Sequence, residues 1–387
     1  MTSVDVVVVG AGMAGASAAY EMSATRSVVL LERESQPGYH ATGRSAALFS
    51  ETYGNATIRG LTAASRTFYR KPPSGFATVP LLTPRGVIMV ARADQMSRLE
   101  AWSASACRLM PTVRILDVAS VLAAVPLLRP DYVAGGAIEP GAMDMDVDAI
   151  QQGFLRGARA RGATLVPGAE LLALAVGEGG WTVTTTSGAW HARTVVNAAG
   201  AWADAVAVMA GAQPCAMRSM RRTALIVDLP SGTDAARWPM VIDTDEAFYF
   251  KPDGGRLLLS PADETPMPPC DVQPDELDIA IAVDRVQQAA DLPVRRVVRS
   301  WAGLRSFTAD RTPVVGFDPV VPDLFWLAGQ GGYGIQTAPA MGRLAAALLA
   351  GQGVPQDMQA LGIGAASLAP GRPGLQADTP RIGEIDG

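Results

Sequence analysis

The run Val6-Val7-Val8-Val9, followed at once by Gly10-Ala11-Gly12-Met13-Ala14-Gly15, leaves this chain few ways to fold. Four consecutive β-branched residues predict a strand buried on both faces, as in a parallel sheet. The G-x-G-x-x-G turn then feeds a helix. Gly10 permits the tight turn, Gly12 lets backbone approach a pyrophosphate, and Gly15 lets the helix pack closely on the sheet. The helix N-terminus, with Ala14 in its first turn, offers unpaired N–H groups and a positive dipole end to phosphate. A second apolar run, Val28-Val29-Leu30-Leu31, ends at Glu32 and Arg33. An acid about 20 residues beyond the first glycine is where such a unit binds ribose hydroxyls. Strand, glycines, helix and acid in register predict a dinucleotide site.

The 387 residues can hold two domains, and 49% apolar with 18% charged residues is a globular composition. A net charge of −5 offers no basic face to nucleic acid. Cys107, Cys215 and Cys270 are scattered, show no metal spacing, and read as reduced thiols. With only His40 and His191, neither a metal site nor a Ser-His-Asp hydrolase is expected. No apolar run reaches the ~18–20 residues of a membrane span. The first strand begins within five residues, which leaves no room ahead of it for a signal peptide, and a cytoplasmic location is expected.

Further along, Arg44-Ser45-Ala46-Ala47 reads as a helix start capped by Ser45 after a Gly-bearing loop. Residues 147–161 read as an amphipathic helix, with Asp144, Asp146 and Asp148 crowding its start as caps rather than metal ligands. A meander about Ser187-Gly188 leads into Thr194-Val195-Val196-Asn197 and the small-residue turn Ala198-Ala199-Gly200-Ala201-Trp202. Aromatic strands joined by Pro-rich loops occupy residues 214–299. Then Leu324-Phe325-Trp326-Leu327-Ala328 runs into a second Gly-rich turn, Gln330-Gly331-Gly332-Tyr333-Gly334-Ile335-Gln336-Thr337, with a helix starting near Gly334. From Ala365 the chain reads as an irregular tail.

These segments, with Phe248-Tyr249-Phe250-Lys251-Pro252-Asp253 and Trp301-Ala302-Gly303-Leu304-Arg305-Ser306-Phe307, resemble the FAD-dependent D-amino-acid oxidase family, most closely its bacterial D-arginine dehydrogenases. The resemblance implies an α/β fold. A discontinuous Rossmann-type FAD domain (1–47, 146–212, 304–360) carries an inserted mixed α+β substrate domain (48–145, 213–303), ahead of a tail (361–387). It implies FAD as cofactor, held by Gly10, Gly12, Ala14, Gly15, Glu32, Arg33, Arg44, Ser45, Ala46, Ala47, Ala199, Gly200, Trp202, Gly331, Gly332, Gly334, Ile335, Gln336 and Thr337. The implied partner is a small D-amino acid, oxidised by hydride transfer from Cα to flavin N5. The electron acceptor (quinone, carrier or oxygen) stays open. In the resemblance Arg305 clamps the substrate carboxylate, and Arg222 and Tyr249 contribute contacts on that side. A planar guanidinium fork suits this task. Tyr53 and Tyr333 read as pocket lining or as packed aromatics, with Gly303 and Gly332 beside them.

The arginine-preferring relatives carry a carboxylate at Val87 and a histidine at Leu48. An unpaired buried cation costs several kcal/mol, so Leu48, Val87, Met240 and Ile242 predict an apolar side-chain pocket instead. The alternatives are a small or N-substituted amino acid (sarcosine- or proline-like), D-arginine with altered specificity, a 2-hydroxy acid, or a flavin-binding module without turnover.

Overall fold

The computed structural model describes residues 2–375. The Val run becomes the first strand, β1 (Thr2–Val9), followed by helix α1 (Met13–Met22) and strand β2 (Val28–Leu31). Val6–Val9 and Val28–Leu31 are all buried. Burying each such side chain contributes ~1.5–3 kcal/mol relative to exposure. Five strands run parallel in the order Thr164–Val166, β2, β1, Gly188–Asn197 and Leu324–Ala328. Antiparallel strands Leu171–Gly177, Gly180–Thr185 and Val314–Phe317 complete this sheet at eight. The parallel core is thus assembled from segments hundreds of residues apart.

On one face of that sheet, α1 packs against Val147–Ala160 and Ala338–Leu349. Two glycines make these crossings possible. A Cβ at Gly157 would lie 2.4 Å from the Tyr20 ring, and one at Gly342 2.6 Å from the Ser17 carbonyl oxygen.

A second, nine-stranded sheet runs Thr265–Pro266, Arg218–Val227, Arg256–Ser260, Tyr249–Asp253, Met240–Asp243, Val87–Ala91, Gly135–Glu139, Arg114–Leu116, with Val297–Phe307 also paired to Arg218–Val227. Strand alternation gives its two faces different chemistry. One face (Ile88, Val90, Leu225, Val227, Val241, Phe250, Leu257, Leu259) packs under helix Glu276–Ala289. The other carries Arg305, Arg222, Tyr249, Ile242, Met240 and Val87. The pairs Met220–Arg305, Arg222–Gly303, Ile242–Tyr249 and Met240–Val87 fix these positions on that face.

Several expectations are corrected. No helix begins at Ser45; residues 45–47 run into the short strand Leu48–Phe49. Asp146 caps the helix at 147, accepting from the Ala149 N–H at 2.9 Å, and Asp148 lies in its first turn as expected, but Asp144 does not serve it. Asp144 lies within the strand Met143–Met145 and pairs with Arg85 (2.6 Å) and Lys251 (2.7 Å). The second Gly-rich turn does not start a helix at Gly334. Gly331 takes φ 51°, and the helix begins at Ala338, where Pro339 suits a first turn. The boundary expected at 303/304 falls inside the strand Val297–Phe307. Residues 365–375 are irregular yet docked. Leu368 is buried, its carbonyl accepts from Val315 N–H at 2.8 Å, and Arg372 pairs with Asp310 at 2.8 Å. Residues 376–387 of the expected tail lie outside the described residues. Among the described residues, no helix is long and apolar enough to cross a membrane.

Candidate active site

At the carboxyl end of β1, three glycines bring backbone to backbone. A Cβ at Gly15 would sit 1.8 Å from the Gly10 carbonyl oxygen, and one at Gly10 2.6 Å from that of Ala198. Gly12 caps α1 without any side-chain hydrogen bond, which leaves first-turn amides for a ligand. The Met13 N–H is satisfied by Thr42 Oγ1 at 3.0 Å. Glu32 accepts from the N–H groups of Ala11 and Glu34, both at 3.0 Å. Burial pushes its pKa above the usual carboxylate range, against those two bonds. Beside it, Arg33 lies over the Trp202 ring at 4.3 Å, while His40 bonds Glu34 at 2.8 Å and contacts the same indole. A turn stripped of side chains, open helix amides and an acid at the strand end fit the ADP half of a dinucleotide.

The Arg44 side chain is committed to protein. Its guanidinium binds Asp271 (2.5 Å) and the carbonyls of Val272 (2.9 Å), Ala302 (3.1 Å) and Tyr39 (3.2 Å), tying the 39–45 loop to the second sheet. The side chains of Gln336 and Thr337 are likewise committed to protein. Gln336 spans Ser50 N–H (3.3 Å) and Thr62 Oγ1 (2.9 Å), and the Thr337 hydroxyl donates to Tyr333 O at 2.9 Å. Ala46 and Ala47 pack into the apolar clusters, and the Ile335 carbonyl accepts from Tyr69 Oη. Ala199 and Gly200 form the turn beyond Asn197, at the end of a strand paired to β1.

Across the molecule, the functional face of the nine-stranded sheet meets the turn at 330–334. Arg305 Nη2 donates to Tyr53 Oη at 3.0 Å. It packs so closely on Gly332 that a Cβ there would sit 1.6 Å from Nη2. Tyr53 and Tyr333 meet edge to face with centroids 5.0 Å apart, and both pack with Ile58, Met220 and Phe307. Gly331 is held against Phe307 in the same way, and Gln330 Nε2 is buried with no hydrogen-bond partner among the described residues. Burial holds Tyr333 protonated, with its pKa raised above that of a free phenol. Arg305 resists the penalty of burial, because Tyr53, Tyr333 and Glu264 around it favour its charge and raise its pKa.

Two site residues escaped the sequence reading. Glu264 Oε1 lies 3.1 Å from Arg222 Nη2 and 3.7 Å from Arg305 Nη1. Its other oxygen is 2.5 Å from Arg311 Nη2. Burial would raise the Glu264 pKa, but Arg311, Arg305 and Arg222 hold it below its ordinary range. A further acid, Glu139, is buried and pins the loop before Tyr53, accepting from Ser50 Oγ (2.7 Å), Thr52 Oγ1 (2.6 Å) and Glu51 N–H (3.1 Å).

Beyond the arginines, Leu48, Val87, Met240, Ile242 and Tyr249 pack into one apolar cluster with Ala142. Of the three acids of the 243–246 loop two are committed elsewhere, while the third, Glu246, lies near enough to Tyr333 to help raise its pKa. Asp243 is fully buried under Gln95, Tyr132 and Arg92, and Asp245 pairs with Arg98 at 2.7 Å. The charged side chain next along the Met240 row is Lys251, held by Asp144.

Comparison with known proteins agrees with this arrangement. The family profile described as FAD dependent oxidoreductase (DAO) matches residues 5–348. The chain is 32% identical over 178 residues to FAD-dependent oxidoreductase domain-containing protein 1 of Xenopus laevis, covering 40% of this chain and 34% of that one. It is 26% identical over 369 residues to human mitochondrial dimethylglycine dehydrogenase, covering 88% of this chain but only 42% of that protein. The chain therefore spans well under half the length of these relatives. Among solved structures, glycine oxidase from Geobacillus kaustophilus shares the fold, with a TM-score of 0.80, 22% identity, and 91% and 96% of the two chains covered. The chain belongs to the FAD dependent oxidoreductase (DAO) family, and FAD is its cofactor.

Proposed function

We propose that this protein oxidises D-amino acids with apolar side chains to imino acids. The observation that carries the reading is the single sheet face on which Arg305 and Arg222 adjoin the apolar cluster of Leu48, Val87, Met240, Ile242 and Tyr249. Bound FAD supplies the hydride acceptor. Arg305 and Arg222 hold the substrate carboxylate and so fix the direction of the Cα–H bond. Tyr53 and Tyr333 cover the clamp and exclude water from it. The substrate amine enters neutral, and its lone pair assists departure of the hydride from Cα. The resulting imine hydrolyses in water and releases ammonia. No histidine is required, in keeping with His40 being paired to Glu34 and His191 lying beside Ser3.

The D configuration rests on the resemblance. The apolar preference rests on Val87 and Leu48, and is supported by Lys251, whose charge on the flanking strand disfavours a cationic side chain. The second reading, oxidation of a small N-substituted amino acid, is favoured by the likeness to dimethylglycine dehydrogenase. Anaerobic mixing of the flavin-loaded enzyme with D- and L-amino acids, sarcosine, dimethylglycine and proline, followed at the flavin absorbance, separates the two. Bleaching by D-Leu, D-Met or D-Phe ahead of the others supports the first reading. Faster bleaching by sarcosine or dimethylglycine replaces it with the second.

A further inference from the structure

We propose that Glu264 is the positioning residue of the carboxylate clamp: tethered by Arg311, it aligns Arg222 with Arg305 and offsets one of the cluster's three positive charges. The inference rests on the reading that these two arginines hold the substrate carboxylate.

Three guanidinium groups converge on one acid. Oε1 is the shared point, 3.1 Å from Arg222 Nη2, 3.7 Å from Arg305 Nη1 and 3.4 Å from Arg311 Nη1. Both flanks of Glu264 are fixed. Arg311 has φ 54°, a region costly for a side-chain-bearing residue, and its guanidinium lies over the Phe307 ring at 4.3 Å. Its turn is held by Arg311 N–H to Thr308 O at 3.1 Å and by Asp310, which pairs with Arg372. On the other side the Asp263 carbonyl accepts from Arg222 Nε at 2.9 Å, and the Asp263 carboxylate accepts from Thr223 N–H at 2.6 Å. Glu264 is thus clamped to the strand of Arg222 and reaches across to that of Arg305.

The charge count gives this a consequence. With Asp263, beside Arg222, offset by its own pairing to Arg221, the three cations that meet on Glu264 leave a surplus that still attracts an incoming carboxylate, while Glu264 repels it. Glu264 therefore trades affinity for alignment. Removing its charge should tighten the binding of a simple carboxylate and slow the reaction, whereas loss of a purely structural contact would weaken both.

The test uses the FAD-loaded enzyme and its Glu264→Gln, Glu264→Asp and Arg311→Gln variants. Binding of 4-methyl-2-oxopentanoate is titrated by perturbation of flavin absorbance, and flavin reduction by D-Leu is followed anaerobically. Glu264→Gln should bind the oxo acid ~3- to 10-fold more tightly and be reduced at least ~10-fold more slowly. Arg311→Gln, which removes a cation, should bind it more weakly and also be reduced more slowly. Glu264→Asp keeps the charge but shortens the reach, so binding stays near wild type while reduction slows. Parallel loss of binding and reduction in Glu264→Gln, or both within ~2-fold of wild type, overturns the proposal. If Glu264→Gln cannot be obtained with flavin, the other two decide, and equal loss of binding and reduction in Glu264→Asp overturns it. Failure of every amino acid to reduce wild-type flavin overturns the amino-acid reading instead. The oxo-acid titrations then still report whether Glu264 and Arg311 act with opposite sign.

Discussion

At the end of β1, Gly10, Gly12, Gly15 and the first turn of α1 form a turn built mostly of backbone, with Thr42 and Ala198 as its distant contacts. Across the molecule, Arg222, Arg305, Arg311 and Glu264 meet from two strands and two loops through their side chains, with the Asp263 carbonyl as a backbone partner of Arg222. Both regions are suited to holding an anion. The first does so with backbone dipoles in a locally determined turn, the second with charges that converge only when a nine-stranded sheet has its register. The backbone site tolerates no added atoms, whereas the side-chain site tolerates exchange at the cost of function. This contrast can be broken experimentally from either side.

The largest effect is expected at the glycines. A Cβ at Gly15 would lie 1.8 Å from the Gly10 carbonyl oxygen. Gly15→Val therefore forces α1 off the sheet, at a cost above the ~1–3 kcal/mol of ordinary overpacking. The purified protein should be colourless or unfolded, read by flavin absorbance and circular dichroism. A yellow variant with wild-type thermal stability would mean that the turn is looser than its contacts indicate.

Arg305→Met comes next and should behave oppositely, keeping its flavin while losing turnover. A charge-assisted contact of ~1.5–3 kcal/mol is removed, together with the alignment of Cα, so kcat/KM should fall by at least ~10-fold. The neighbouring Glu264 would still be neutralised by Arg222 and Arg311, so the fold should survive. Turnover within ~3-fold of wild type would put the carboxylate clamp elsewhere.

The difference also explains what could be read from the chain. The β1 turn, Glu32 and the helix at 147 are legible because periodicity, glycine spacing and a capping acid are local signals. Arg222 and Arg305 enter through a resemblance; nothing in their immediate neighbours distinguishes them from surface arginines. Glu264 and Arg311 were missed because loop acids and loop arginines normally face solvent. The one local signal for Glu264 is the rigid frame of Pro261 and Pro266 around it. The side-chain partner of Arg44 was not legible because the loop sequence does not reveal Asp271, over 200 residues later.

A smaller effect is expected in substrate choice. D-Leu, D-Met or D-Phe should exceed D-Arg in kcat/KM by ~10-fold, or 1.4 kcal/mol. Val87→Glu should shift preference toward D-Arg, but incompletely. Val87 pairs with Glu139 across the strands, and that buried acid would repel a second carboxylate. Competitive assays with D-Leu and D-Arg measure both changes. Wild-type enzyme that prefers D-Arg to every neutral D-amino acid would refute the apolar pocket.

The smallest effect sharpens the comparison by sign. One region holds a buried glutamate, Glu32, and the other a half-buried one, Glu264, and their pKa values move in opposite directions. Burial raises Glu32, whose hydrogen bonds among the described residues come from backbone N–H groups, whereas Glu264 is lowered against the effect of burial by Arg311, Arg305 and Arg222. A depressed carboxylate stabilises the fold above its unfolded pKa, and that contribution is lost as pH falls through the folded value. A raised one contributes below its unfolded pKa and loses that contribution as pH rises through the folded value. The flavin-free protein should therefore show opposite trends in Tm in two adjoining windows, above the ordinary carboxylate range for Glu32 and below it for Glu264. The advantage of wild type over Glu264→Gln should persist down to the ordinary carboxylate range and shrink below it. Wild type relative to Glu32→Gln should instead gain as the pH falls. The flavin must be absent for this measurement, because ribose hydroxyls donating to Glu32 would stabilise its charged form and blunt the trend. Parallel trends in the two variants would mean that Glu32 has a cationic partner in solution, and the distinction between a dipole-built and a charge-built site would then fail at its most sensitive point.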